Sequence, residues 1–375
     1  LNTWLFDTEL KLSVFAVSFA GTFFFQIAIQ SAHIFQLLFR PWYYLGITLF
    51  QNLIAAALSI GLIVLLKNNI FFGYFLGFCL GSLLVGIIGW WLARDYIDWR
   101  TPSLKLWPRI LKFGLPLVPA SMAFYLLETS DRWFLGFYHG GLAIGVYAVG
   151  FKIAMAMNLV VEPFRKACDP IAMKSLNEPD SQGFFSFMAR LYLGVGAASI
   201  VIITAFSPTL IKWLTLPSFH DAYQVVGLLA WKQILFGFII FSTLGIYKKE
   251  KTSMIAVASG LTAVINVILQ YILVPRYAGM GAALAIAITF LAWNLITLRL
   301  SHKLWPINYP WMILFSQLSF GIFSTGILIM FFKNGLGVWE TSLFAVFSSA
   351  ILLGTAIPFH HFRTWYKNNV YSKKE

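Results

Sequence analysis

An all-α, polytopic membrane protein is the fold class this sequence predicts, and three observations predict it. The chain is 59% hydrophobic and 11% charged, whereas a soluble domain carries about 25% charged residues. Apolar runs of bilayer-crossing length, about 20 residues at a rise of about 1.5 Å each, recur from end to end. Most of the 27 Lys and Arg fall in alternate gaps between those runs, the asymmetry expected when one set of loops stays in the cytoplasm. The alternating short strands of an outer-membrane barrel are absent, and the runs are too long to be barrel strands.

In chain order, residues 1–11 form a mixed, amphipathic lead-in. Eleven spans follow, at 12–36, 43–66, 70–92, 113–137, 140–164, 187–211, 222–246, 253–274, 279–299, 310–332 and 338–358. One set of gaps holds Arg40; Arg94, Arg100, Lys105, Arg109 and Lys112; and Arg165, Lys166, Lys174 and Arg190. The same set holds Lys248, Lys249 and Lys251, then Arg299 and Lys303, and finally a tail with Arg363, Lys367, Lys373 and Lys374. The other side holds Lys11, Lys67, Lys212, Arg276 and Lys333. The basic side is therefore expected to be cytoplasmic, together with the C-terminus. The net charge of +13 then reflects topology and contact with anionic lipids rather than a nucleic-acid partner.

The predicted organisation is the remainder of a first transmembrane lobe at 1–93, a cytoplasmic linker at 94–112, a second lobe of six spans at 113–300, and two further spans with a basic tail at 301–375. Trp99, Trp107 and the basic residues of the linker read as an amphipathic interfacial segment. Gly73, Gly77 and Gly81 recur every fourth residue, a spacing that lets membrane helices approach closely. The hairpin at 43–92 is echoed by one at 253–299, whose turn reads VPRYAGMGAALAIA, as in a two-lobe repeat. Pro116 and Pro119 are expected to bend their helix.

Residues 113–165 carry the chemistry. Two apolar runs joined at His139-Gly140-Gly141 contain Glu128, Asp131, Arg132 and Lys152. A charge at the centre of a membrane helix costs about 2.5–3.5 kcal/mol on insertion scales. Four of them cannot face lipid, so they face one another or a wet cavity. Lys152 lies about 18 Å into its span, and Lys232 on another span about 15 Å in. Arg132, Lys152 and Lys232 are the candidate cations of a transport cavity; Arg suits bidentate phosphate contact, Lys a point charge. Glu128 and Asp131 share the site or serve as counter-ions: Glu128 pairs with Arg132 at i,i+4, or Asp131 with Lys152. Gln26, Gln30 and His33 form a polar stripe on one helix, and with Asn158 and Asn266 either line the cavity or join helices by hydrogen bonds; Asn294 reads the same way. Glu162 reads as a solvated end residue. His360-His361 lack a third ligand, and Cys79 and Cys168 have no metal spacing, so no metal site is expected. No phosphate-binding loop of an ATPase is present. No cofactor is expected, and Asp131 or Glu128 carrying a proton, or another ion gradient, would supply the energy.

Several pieces resemble Wzx-like polysaccharide flippases of the multidrug/oligosaccharidyl-lipid/polysaccharide exporter superfamily. They are Phe113-Gly114-Leu115-Pro116, Pro119, Ser130-Asp131-Arg132, Leu135-Gly136, Gly145-Val146-Tyr147 with Lys152, Asn266, Val274-Pro275-Arg276-Tyr277 and Gly281-Ala282-Ala283. The resemblance implies a two-lobe, inverted-V helical bundle of the polysaccharide-exporter type. It also implies a chain that starts at the family's fourth helix, three helices short of a fourteen-helix protein; Leu1 in place of Met agrees with that expectation. It further implies alternating-access flipping of a lipid-linked oligosaccharide, such as an undecaprenyl-pyrophosphate-linked O-antigen, capsule or exopolysaccharide unit, across the bacterial inner membrane, with polysaccharide polymerase and assembly proteins as partners. The alternatives are a drug/cation or peptidoglycan-precursor exporter of the same superfamily. A membrane glycan polymerase or acyltransferase would call for a large extracytoplasmic loop or interfacial His and carboxylates, which the sequence lacks. The protein is accordingly expected to be a transporter rather than an enzyme.

Overall fold

A computed structural model describes residues 12–67, 69–96, 106–175, 181–335 and 337–356. The amphipathic lead-in, residues 97–105 and 176–180, His360-His361 and the basic tail lie outside the described residues. The chain divides into two compact units, Leu1–Leu104 and Lys105–Glu375.

The first unit holds α1 (Leu12–Leu37), α2 (Pro41–Leu65) and α3 (Ile70–Ala93). Helix α3 packs on both of the others, and its glycines explain how. Gly73, Gly77 and Gly81 lie along one face. A Cβ on Gly77 would come within 2.4 Å of the Ser59 backbone, and one on Gly81 within 2.7 Å of Ala55 Cα. Gly89 meets α1, where a Cβ would overlap Ser31 Oγ. Lipid supplies no hydrophobic force between helices, so close backbone approach and hydrogen bonds hold them. Gln51 Nε2 donates to Ser82 Oγ (2.9 Å), and Ser59 Oγ to the Tyr74 carbonyl (3.0 Å). Gln26, Gln30 and His33 are all exposed on α1, and His33 Nδ1 lies 3.0 Å from Gln36 Oε1.

The second unit opens with a short helix, α4 (Trp107–Gly114). It continues with α5 (Leu117–Ala154), α6 (Asn158–Ser175), α7 (Ser181–Leu214), α8 (Tyr223–Lys248), α9 (Ser253–Leu304), α10 (Trp311–Lys333) and α11 (Val338–Ala356). Nine helical stretches among the described residues are long and apolar enough to cross a membrane. Two of these reverse direction: the stretch containing α5 turns at Gly140 (φ 76°), and α9 turns at Ala278 (φ 47°). Contacts on either side identify both as hairpins. A Cβ on Gly136 would touch Ile144, and one on Gly281 would lie 2.3 Å from the Leu273 carbonyl oxygen. The eleven expected passes are thereby accounted for.

The hairpin α5 packs against the hairpin α9, with α8 against both; α7 lies on another side of α8 and carries α10 and α11. Helix α8 is the most deeply buried of these spans. It is bolted to the second arm of α9 by a polar ladder: Asn294 Nδ2 donates to the Leu235 carbonyl (2.8 Å), Thr297 Oγ1 to Ser242 Oγ (2.9 Å), and the Gly245 amide to Ser301 Oγ (2.8 Å). Tyr192 on α7 reaches the Ile234 carbonyl (2.9 Å) beside Gly237, which has no side chain to obstruct it.

Two expectations change in detail. Pro116 does not bend a helix but caps the start of α5, placing the break between α4 and α5, and Pro119 falls in the first turn, where a missing N–H is harmless. The predicted span 140–164 is not one helix. Its first part ends at Ala154, a 3-10 turn covers Met155–Met157, and α6 then continues. Helix α4 exposes Trp107, Ile110 and Leu111 and is tied to the α8–α9 turn. Arg109 donates two hydrogen bonds to the Glu250 carboxylate, Nε at 3.0 Å, and Thr252 Oγ1 donates to the Phe113 carbonyl at 2.6 Å. These bonds from Arg109 hold the Glu250 carboxyl below its ordinary range.

The glycine contacts predict an asymmetric pair of variants. Gly77→Val should destabilise the detergent-solubilised chain by about 2 kcal/mol or more through backbone overlap with α2. Gly46→Ala, where the added Cβ meets nothing within 4 Å, should stay within about 0.5 kcal/mol. Thermal unfolding of the two variants checks this.

Candidate functional site

The site is built on the hairpin α5. A glycine at Gly140 allows the left-handed turn that a side chain would oppose. The reversal sets the register of the two arms, bringing Tyr147 level with Asp131. Both side chains are fully buried. Tyr147 Oη donates to Asp131 Oδ2 at 2.5 Å, and the Arg132 amide donates to Oδ1 at 2.8 Å. The Asp131–Lys152 alternative is therefore corrected: Lys152 lies well past the level of Asp131 on the return arm, where it is exposed.

One residue before Asp131, the chain faces α9. Ser130 Oγ donates to Asn266 Oδ1 (2.8 Å), and Asn266 Nδ2 donates to Thr289 Oγ1 (3.1 Å) across the second hairpin. Asn266 is 1% exposed, so it joins helices and does not line an opening. Asn294 is likewise spent on packing to α8. Asn158 is partly exposed.

Glu128, one turn before Arg132, does not pair with it. Its carboxylate instead meets the ammonium of Lys232 on α8. Lys232 is 1% exposed and Glu128 33% by side chain, so the basic half of this pair is inside and the acidic half faces out. The Phe151 and Phe290 rings lie 5.5 and 5.4 Å from the Lys232 Nζ. Phe290 belongs to an aromatic cluster with Phe124, Phe236 and Trp293. The Arg132 guanidinium sits 5.0 Å from the centroid of the same Phe151 ring. Two cations thus lie near one aromatic ring, whose π-system attracts each of them. The Nε of Arg132 is buried with no hydrogen-bond partner among the described residues. Lys152 adjoins Phe151 in sequence. Arg132 and Lys232 thus meet at Phe151, with Glu128 on Lys232; Lys152 is exposed and makes none of these contacts.

The other sequence candidates are carried by other elements. Gln26, Gln30 and His33 are on the first unit. Glu162 pairs with Arg165 (3.4 Å), and Arg165 in turn covers the Phe236 ring at 4.8 Å. Sequence reasoning missed the roles of Tyr147, Phe151 and Phe290. For Tyr147 a signal existed: it and Asp131 are equally spaced about His139. No spacing singled out the two phenylalanines.

The architecture is that of a polytopic helical membrane protein whose second unit carries charged groups inside apolar surroundings. Comparison with known proteins makes this more particular. Residues 2–176 match the family described as "Polysaccharide biosynthesis protein". Over 143 residues the chain is 24% identical to "Lsg locus putative protein 1" of Haemophilus influenzae, covering 37% of this chain and 36% of that protein. The chain thus matches about a third of that relative's length. The fold is similar to that of "Lipid II flippase MurJ, inward closed conformation", with a TM-score of 0.60, 15% identity, and coverage of 95% of this chain and 74% of that one. The resemblance read from the sequence agrees with these findings: residues 2–176 match a polysaccharide-biosynthesis family, and the fold is like that of a lipid II flippase.

The buried hydroxyl–carboxylate contact gives a second prediction. Tyr147→Phe should destabilise the protein by about 1.5–3 kcal/mol, the worth of a hydrogen bond to a charged group. Asp131→Asn should cost less in the Tyr147→Phe background than alone. A double-mutant cycle by thermal unfolding measures the coupling.

Proposed function

We propose that the protein flips a lipid-linked oligosaccharide across the bacterial inner membrane, the carrier being an undecaprenyl pyrophosphate and the glycan an O-antigen, capsule or exopolysaccharide unit. The observation that supports the reading is the meeting of two cations at Phe151: among the described residues Lys232 is ion-paired with Glu128, whereas the Arg132 guanidinium makes no ion-pair contact and keeps a buried Nε without a hydrogen bond. A pyrophosphate headgroup is the complementary ligand, with Arg132 holding phosphate oxygens through its fork of donors and the lysines acting as point charges. Alternating access would carry the headgroup through a hydrated cationic cavity while the isoprenoid tail stays in lipid. A proton or other ion gradient would drive the cycle, and polysaccharide polymerase and assembly proteins would receive the product.

Two alternatives rank lower. A drug/cation exporter would favour acids in excess, and Glu128 and Asp131 do not outnumber the cations Arg132 and Lys232 beside them. A peptidoglycan-precursor exporter needs cations as well. The likeness to a lipid II flippase favours it, whereas the match to a polysaccharide-biosynthesis family favours a polysaccharide unit.

Complementation of a strain lacking its polysaccharide flippase tests the reading. Arg132→Ala and Lys152→Ala, introduced in the full-length parent protein, should each lower surface glycan at least tenfold at equal membrane abundance. Full glycan export by both variants would overturn it. A second measurement addresses topology: an alkaline phosphatase fusion at the C-terminus should be inactive and a green fluorescent fusion bright, as for a cytoplasmic end.

A further inference from the structure

We infer that Glu128 is a built-in competitor for the headgroup, holding Lys232 when the site is empty and displacing the second phosphate when substrate leaves; this rests on the proposal that the Phe151 cluster receives a pyrophosphate.

The asymmetry of the pair points to this role. A carboxylate that only neutralised a buried lysine would be buried with it. Here the ammonium is 1% exposed and the Glu128 side chain 33% exposed. The acid is the half that an incoming anion meets first. Glu128 is also the one acid in ion-pair contact with Lys232 among the described residues. Asp131 is tied instead by Tyr147 and the Arg132 amide. Removing Glu128 from Lys232 without a replacement leaves a buried cation unpaired, which is strongly unfavourable. Only an anion supplying its own negative charge can take its place.

The charge count then separates two kinds of lipid carrier. A phosphodiester bears one negative charge at neutral pH. A glycan linked through one phosphate can meet Arg132 but has no second charge to offer Lys232, and leaves Glu128 in place. A glycan linked through a diphosphate has two. Arg132 and Lys232 are held against the same ring, at 5.0 and 5.5 Å from its centroid, so the two cations are no farther apart than the sum of those distances. In the inferred exchange, a diphosphate spans both once Glu128 moves aside. Its affinity is thereby lowered by the competition, and re-formation of the Glu128–Lys232 pair favours release. A transport site needs that balance: favourable enough to enter, weak enough to leave.

The test is binding to the full-length protein in nanodiscs. The probes are undecaprenyl diphosphate–N-acetylglucosamine, with two charges, and undecaprenyl phosphate–glucose, with one. Glu128→Gln should bind the diphosphate probe at least tenfold more tightly than wild type, change affinity for the monophosphate probe less than threefold, and turn over more slowly in a vesicle flipping assay. Lys232→Gln combined with Glu128→Gln should lose the gain. Should Glu128→Gln fail to fold, Glu128→Asp, which keeps the charge but shortens the reach, should give a smaller tightening in the same direction. Wild-type binding of the diphosphate probe with no tightening in the variant that folds overturns the competitor role alone. No binding of either probe by wild type overturns the pyrophosphate reading, and this inference with it.

Discussion

An ammonium group surrounded by phenylalanines has to be compensated, and the second unit is arranged around how Lys232 is compensated. Its position on α8 places it at the most buried of these spans, between the rings of Phe151 and Phe290. Aromatic faces lower the cost of that location without removing it. The remaining requirement is a carboxylate, and Glu128 on α5 meets it. That single contact joins the helix carrying Arg132 and Asp131 to the helix at the centre of the unit. It also decides which of the cations is free to meet a ligand.

Which side chains meet is set by two turns. A hairpin of helices pairs residues at roughly equal distance from its reversal. The reversal at Gly140 pairs Asp131 with Tyr147, and the one at Ala278 pairs Asn266 with Thr289. Ser130 joins the two hairpins through Asn266. A one-residue change at either turn would rotate a whole arm by about 100° and dissolve these pairs together. Ala278 adopts the left-handed turn without being glycine, which costs about 1 kcal/mol or more. Packing of α9 on α5 and α8 holds it there.

The spans were legible because apolar length and loop charge are properties of a segment, readable without knowing its neighbours. The hairpin turn at Gly140 and the close packing at Gly73, Gly77 and Gly81 were legible for the same reason: glycine marks a positive φ at the first and a lack of room for a side chain at the other three. Pairing was not legible. Glu128 and Arg132 share a helix face, and spacing alone favours joining them. Lys232 is distant in sequence, and only the packing of α8 against α5 makes it the better partner. Asn266 looked equally suited to a cavity or to an interhelical bond, because an amide does both chemistries. Its burial beside Ser130 decides it. The break at Met155–Met157 left no proline or glycine to announce it.

Two classes of buried polar residue result, and the difference between them locates the site. Asn294, Thr297 and Ser301 each make a cross-helix bond to α8. They are neutral, they fasten helices, and no added ligand is needed to account for them. The charged residues on α5 are satisfied less completely. Arg132 keeps a buried Nε with no partner among the described residues, and Glu128 neutralises Lys232 while part of its own side chain stays open. Buried polar groups in proteins are almost always bonded; atoms without a partner among the described residues occur on several helices, Asn294 Oδ1 and the Gln270 amide included, but Arg132 Nε belongs to a charged group and is the departure that most requires a reason. Packing offers none, since a neutral ladder like that on α9 would hold α5 at lower cost. An anion that comes and goes does, because it requires cations whose partners are incomplete or replaceable.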